Sequence, residues 1–165
     1  MASITLKGNA INTIGSLPEV GTKAANFSLK TVGLETKTLA DFLGKKIILN
    51  VFPSIDTGTC AASVRAFNKS AAQLENTVVL CVSKDLPFAQ ARFCGAEGIM
   101  NVEMLSDFTT GNFGKAYELE IIDGPFAYLH SRAVIIIDEI GTIAYAEQVS
   151  EIANEPNYEA ALKVI

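Results

Sequence analysis

The chain has 165 residues, with 13 Lys plus Arg against 18 Asp plus Glu and one His, for a formal net charge of −5. With 49% hydrophobic residues, 19% charged residues and a mean hydropathy of +0.30, it is too apolar to be disordered and long enough to bury a core of its own. The acidic balance, with no block of five or more like charges, excludes an electrostatic nucleic-acid binder, and no apolar run approaches the roughly 20 residues of a membrane span.

No internal repeat, low-complexity tract or Gly/Ser/Pro-rich linker interrupts the chain, so residues 1–165 read as a single domain. Weak alternation at Ile4, Leu6, Ile11 and Ile14 around Lys7-Gly8-Asn9-Ala10 predicts an N-terminal β-hairpin turning at Gly8-Asn9. Lys46 to Phe52 is a β-rich run ended by Pro53, whose missing N–H favours a turn. From Cys60 the period changes. Cys60, Val64, Phe67, Ala71 and Leu74 fall on one helical face, predicting an amphipathic helix that ends near Asn76. Thr77 to Ser83 is again a continuous apolar run, so residues 46–83 form a parallel βαβ unit.

Pro87 opens a further short helix, which Gly95 is placed to end just after Cys94. A strand at residues 101–105, a helix at 112–119, a hairpin of 132–138 with 142–147 around Glu139-Ile140-Gly141, and a helical tail at 156–164 complete the reading. The order βαβ, α, ββα is the plan of a thioredoxin-like α/β sandwich, a mixed central sheet flanked by helices.

The chemistry concentrates in Pro53-Ser54-Ile55-Asp56-Thr57-Gly58-Thr59-Cys60, which puts a thiol in the first turn of the helix after a strand-ending turn. Free N–H groups and the positive end of the macrodipole favour a thiolate there, and the thiolate is the nucleophile. Thr57 could turn its hydroxyl toward the sulfur or a bound oxyanion. The plainer alternative makes Cys60 a small buried hydrophobe and Thr57 an N-cap.

Cys81 lies within Val78-Val79-Leu80-Cys81-Val82 and reads as core. His130, the only histidine, reads as a solvated loop residue. Three scattered Cys with one His lack the ligand spacing of a metal site, and Gly111, Gly114 and Gly124 form no phosphate-binding loop, so no metal or nucleotide cofactor is expected. An odd number of cysteines without a Cys-x-x-Cys pair, and an N-terminus without a basic and apolar leader, lead us to expect a reducing cytoplasm.

The segment from Pro53 to Cys60 resembles the peroxiredoxin active-site pattern Pro-x-x-x-Thr-x-x-Cys, and Pro53-Ser54-x-Asp56-Thr57-x-x-Cys60 resembles the thiol peroxidase branch of that family. Asp85-Leu86-Pro87-Phe88-Ala89-Gln90, Arg92-Phe93-Cys94-Gly95-Ala96-Glu97-Gly98, Asp123-Gly124-Pro125, Arg132-Ala133-Val134 and Glu155-Pro156-x-Tyr158-Glu159-Ala160-Ala161-Leu162 extend the resemblance over nearly the whole chain. It implies Cys60 as the peroxidatic cysteine, oxidised to a sulfenic acid by a hydroperoxide, with Thr57, Arg132 and Pro53 around it. It implies Cys94 as the resolving cysteine that closes an intramolecular disulfide, a loop worth about 3.8 kcal/mol of unfolded-chain entropy. It further implies a thioredoxin-recycled antioxidant peroxidase acting as a homodimer. A peroxide sensor using the same cysteine is the alternative, while a general dithiol oxidoreductase is disfavoured by the missing Cys-x-x-Cys. An apolar entrance formed by Phe52, Phe88, Phe93, Phe126 and Tyr128 would favour organic hydroperoxides.

Overall fold

In a computed structural model describing residues 1–165, Ser3–Leu6 (β1) and Asn9–Asn12 (β2) form a separate two-stranded hairpin. Its turn is Lys7-Gly8, one residue earlier than expected. Leu6 pairs with Asn9, and both turn residues have positive φ, 51° and 80°, the geometry of a tight two-residue hairpin. The remaining strands are Ser28–Thr31 (β3), Thr36–Thr38 (β4), Lys46–Val51 (β5), Thr77–Ser83 (β6), Glu103–Ser106 (β7), Ala133–Ile137 (β8) and Ile143–Gln148 (β9). They make one mixed seven-stranded sheet in the order β4-β3-β7-β6-β5-β8-β9. Strands β5, β6 and β7 run parallel; β3, β8 and β9 join antiparallel to their neighbours.

Both faces of the sheet are covered, which is why its central strands are apolar without interruption. Strand alternation sends Ile47, Leu49 and Val51 into one core with Leu80, Val82 and Ile135. Ile48 and Phe52 go into the other, with Val79, Cys81, Val134 and Ile136. The first core is closed by Phe113 of Asn112–Ala116 (α3) and by Tyr117. The second is closed by Cys60, Val64 and Phe67 of Gly58–Ala71 (α1), by Phe93 and Cys94 of Pro87–Glu97 (α2), and by Ala161 of Tyr158–Leu162 (α4). Burying Val64 and Phe67 on α1 is worth about 2–3 kcal/mol each, which fixes the helix carrying Cys60 to the sheet.

Helix ends differ from expectation, and α3 stops at Ala116, short of the expected residue 119. α1 stops at Ala71, and Leu74 follows in a turn whose N–H bonds the Ala71 carbonyl. α2 runs past Gly95 to Glu97 and ends at Gly98, whose left-handed φ of 65° lets its N–H return to the Cys94 carbonyl. Cys94 therefore opens the last turn of the helix, three residues before its end, where the sequence placed it at the C-terminal residue. Glycine at 98 suits this cap because a side chain there would strain the backbone.

Candidate active site

β5 ends at Val51, and Phe52-Pro53 turns the chain into α1, with Thr57 at the N-cap in extended conformation (φ −98°, ψ 146°). The Thr57 hydroxyl neither caps the helix nor reaches the sulfur; it donates to the Ser54 carbonyl at 3.1 Å and stiffens the turn. The amides of Gly58, Thr59 and Cys60 are left without backbone acceptors, so the positive end of α1 surrounds the Cys60 thiol.

Facing the thiol is Arg132, immediately before β8. It is 2% exposed, yet its Nη2 donates to Cys60 Sγ at 3.3 Å and its Nε donates to the Ile152 carbonyl at 2.9 Å. Its Nη1 is buried and has no partner. A buried guanidinium must find compensation, and the partners here are one carbonyl and one sulfur. Its third donor nitrogen is left over for a bound group.

Pro53, Thr57, Gly58, Thr59, Phe126, Arg132 and Ile152 line a cavity of about 280 Å³, with Leu6 and Lys7 of the hairpin at its rim. Three of the five expected site residues, Thr57, Arg132 and Pro53, line this cavity, and a fourth, Cys60, is buried behind it against Arg132 Nη2. Of the aromatic side chains expected at the entrance only Phe126 lines it. Phe52 is buried in the core beneath, Phe93 packs on α1, and Phe88 and Tyr128 project into solvent.

Cys94 is half-buried, which pushes its thiol pKa up, and it lines a different, smaller cavity with Thr31, Ile99, Val102 and Met104. Two ion pairs tie α2 to α1 and to the turn before it. Asp56 pairs with Arg92 at 2.9 Å before the two cysteines, and Arg65 pairs with Glu97 at 2.8 Å beyond them. All three cysteines are free thiols. Cys81 is fully buried in β6, and desolvation pushes its pKa up to about 12 despite a contact from the Asn50 amide. That fits the core reading.

His130 is not a solvated loop residue. It is fully buried, its Nε2 lies 3.1 Å from Asp107 Oδ2, and its ring meets Phe113 edge-on. The reason is Gly114, whose missing side chain leaves room for the imidazole, while Asp107 also accepts from the amides of Phe113 and Gly114. No group of three or more His, Cys, Asp or Glu residues is arranged to hold a metal ion.

Sequence reasoning did not single out Asp85. Its carboxylate accepts from Ser54 Oγ (2.7 Å), the Ile55 amide (2.7 Å) and Ser83 Oγ (2.6 Å), tying the turn before α1 to the turn before α2. Nor did it find Asn50 and Ser63. Asn50 donates to Ser63 Oγ at 3.1 Å, and Ser63 donates to the Cys60 carbonyl at 2.7 Å, bolting the first turn of α1 to β5. A polar Asn within an apolar strand was the one visible signal.

A thiol at a helix start, against a buried guanidinium on a thioredoxin-like sheet, defines a peroxiredoxin-type thiol oxidoreductase. Residues 19–162 match the family model described as Redoxin. A thiol peroxidase of Mycobacterium tuberculosis (strain CDC 1551 / Oshkosh) is 54% identical over 165 residues, spanning 100% of this chain and 99% of that protein. The crystal structure of a peroxiredoxin-like protein from Aquifex aeolicus superposes with a TM-score of 0.92 at 37% identity, covering 98% of this chain and 95% of that one. A thiol peroxidase from Chromobacterium violaceum shares the fold, with a TM-score of 0.91 at 20% identity over 98% and 94% of the two chains. The chain belongs to the redoxin family and, within it, to the thiol peroxidases, oxidoreductases that act on peroxide.

Proposed function

We propose that this single-domain protein reduces hydrogen peroxide and organic hydroperoxides through Cys60, with Cys94 as the resolving thiol and thioredoxin as reductant. The observation that carries the reading is the Arg132 fork, with Nη2 on the Cys60 sulfur at 3.3 Å and Nη1 buried without a partner. The Cys60 thiolate attacks the terminal peroxide oxygen and the O–O bond breaks. The sulfur becomes a sulfenic acid, and the leaving oxygen takes a proton to depart as alcohol or water. Arg132 supports both charged ends, holding the thiolate before reaction and donating to the peroxide oxygens as negative charge moves onto them. Pro53 roofs the sulfur against water and Thr57 holds the turn. The apolar Phe126, Ile152 and Leu6 around the cavity favour an organic group over bulk water.

In the second step the Cys94 thiolate attacks the Cys60 sulfenic sulfur, expelling hydroxide, which takes up a proton to leave as water, and forming the disulfide. The two Cα atoms must come within about 7 Å. The part of α2 that carries Cys94 packs on the second core through the partly buried Phe93 and Cys94, and the exposed ion pairs that tie it to α1 and to Asp56 contribute little. The start of α2 is fixed by buried Gln90, which bonds Ser83 and the Leu105 carbonyl. The C-terminal turns of α2 therefore unwind while its start stays in place. A dithiol protein of low potential then reduces the disulfide by exchange.

Exposed Leu86 and Phe88 at the start of α2, with Tyr128, support association of two copies as a homodimer. An odd number of cysteines without a static disulfide framework supports residence in the reducing cytoplasm, where the activity serves antioxidant defence. Adding one equivalent of peroxide to reduced protein, with a dimedone probe present, tests the reading. A sulfenic adduct at Cys60 in the Cys94→Ser variant, and a Cys60–Cys94 linked peptide in the intact protein, are expected. An adduct at Cys81, or no adduct, would overturn it.

A further inference from the structure

We propose that Glu151, outside the reacting cluster, is a positioning residue that sets the orientation of Arg132 by locking the N-terminal hairpin to the 150–153 segment. The inference rests on the reading of Arg132 as the partner of Cys60.

Three consecutive residues after β9 each hold a different part of the site. The Glu151 carboxylate accepts from Thr5 Oγ (2.8 Å) and from the amides of Lys7 (3.0 Å), Gly8 (3.0 Å) and Ala153 (3.1 Å). Ile152 donates its amide to the Thr5 carbonyl at 2.8 Å, and its own carbonyl accepts Arg132 Nε at 2.9 Å. The Ala153 carbonyl accepts from Thr59 Oγ, in the first turn of α1, at 2.9 Å. The one bond that fixes the rotation of the guanidinium toward Cys60 therefore ends on a peptide flanked on both sides by the Glu151 clamp. Four donors converging on one carboxylate hold its pKa down to about 2, as expected for a group bonded in its charged form. The Lys7-Gly8 turn, with its two positive-φ residues, is shaped to present consecutive amides to that carboxylate.

Without the carboxylate the hairpin is hydrogen-bonded to this segment only through Thr5, to Ser150 and Ile152, so the Lys7-Gly8 turn and the Ile152 peptide loosen together and Nη2 drifts from its registry on the sulfur. A misplacement of order 1 Å in a reacting arrangement lowers rates by up to about a hundredfold. Rates of reduced enzyme with hydrogen peroxide and with tert-butyl hydroperoxide, each across pH, compare the intact protein with Glu151→Ala, Arg132→Met and the double variant. Glu151→Ala is expected to lower both rates by about tenfold to a hundredfold and to move the pH midpoint of the rate upward. In the Arg132→Met background it is expected to add less than about twofold, because the two residues act on one quantity. Thr5→Val, which removes one donor from the same clamp, shows a smaller shift in the same direction and keeps the test open if Glu151→Ala fails to fold.

Losses that add fully in the double variant would overturn the proposal. So would a loss confined to the bulkier peroxide, or a lowered melting temperature with an unchanged pH profile. An intact protein that consumes no peroxide overturns instead the reading on which the proposal rests.

Discussion

Replacing Arg132 by Met keeps most of the side-chain volume and removes the charge that touches the Cys60 sulfur. At the observed 3.3 Å, two unit charges in an effective dielectric of about 20 interact by about 5 kcal/mol, a ceiling on what the guanidinium contributes to the thiolate and to the developing oxyanion. Loss of a single oxyanion donor in a preorganised site costs about 3–4 kcal/mol, so the second-order rate with peroxide should fall by about 10²–10³. Arg132→Lys keeps a charge but cannot serve both the Ile152 carbonyl and the sulfur from one rigid fork, and should lose about tenfold. Stopped-flow consumption of hydrogen peroxide by pre-reduced protein measures the rate, with circular dichroism confirming that the fold survives the orphaned carbonyl. A rate for Arg132→Met within about threefold of the intact protein would refute the electrostatic role, since so small a change corresponds to well under 1 kcal/mol.

Cys81, buried and with its pKa pushed up to about 12, should resist alkylation in the folded protein and react once the chain is denatured, which mass spectrometry of labelled peptides reads directly. Cys81→Ala should cost about 1–2 kcal/mol of stability and leave peroxide turnover intact. Gly114→Ala would drive a Cβ into the His130 ring at Cε1 and Nδ1. Thermal unfolding should show a loss of about 1–3 kcal/mol from overpacking. Because the folded pKa of Glu151 lies below its ordinary 4.5, at about 2, its contribution is complete above that ordinary value and disappears as pH falls toward the folded one. Protection of the Lys7 and Gly8 amides, taken relative to their intrinsic exchange rate at each pH, should fall over this interval ahead of protection in β5, and protection unchanged down to pH 2 would contradict the clamp.

The parts of the fold legible in the sequence were those whose burial is one- or two-sided without ambiguity. β5 and β6 are covered on both faces and appear as unbroken apolar runs, and α1 shows its single buried face as a period. β3 and β4 left no comparable signal. Ser28, Lys30, Thr36 and Lys37 give short, polar strands at the sheet edge, where one side faces solvent. The thiol at the helix start was readable from local chemistry, whereas Arg132 stood out only by family resemblance, because its partners Cys60 and Ile152 are brought to it by the sheet. His130 was misjudged for the same reason. Its burial depends on Asp107 and on the absent side chain of Gly114, neither of them adjacent in sequence. Glu151 lies in an ordinary polar loop, and the donors that explain it come from the other end of the chain.

The most direct test of the account is peroxide consumption coupled to thioredoxin, thioredoxin reductase and NADPH, comparing the intact protein with Cys60→Ser, Cys94→Ser and Cys81→Ser. The account predicts sustained turnover by the intact protein and by Cys81→Ser, none by Cys60→Ser, and a single sulfenic event without thioredoxin-driven recycling for Cys94→Ser. Turnover that survives loss of Cys60, or an intact protein that reacts once and stops with every dithiol donor, would contradict it.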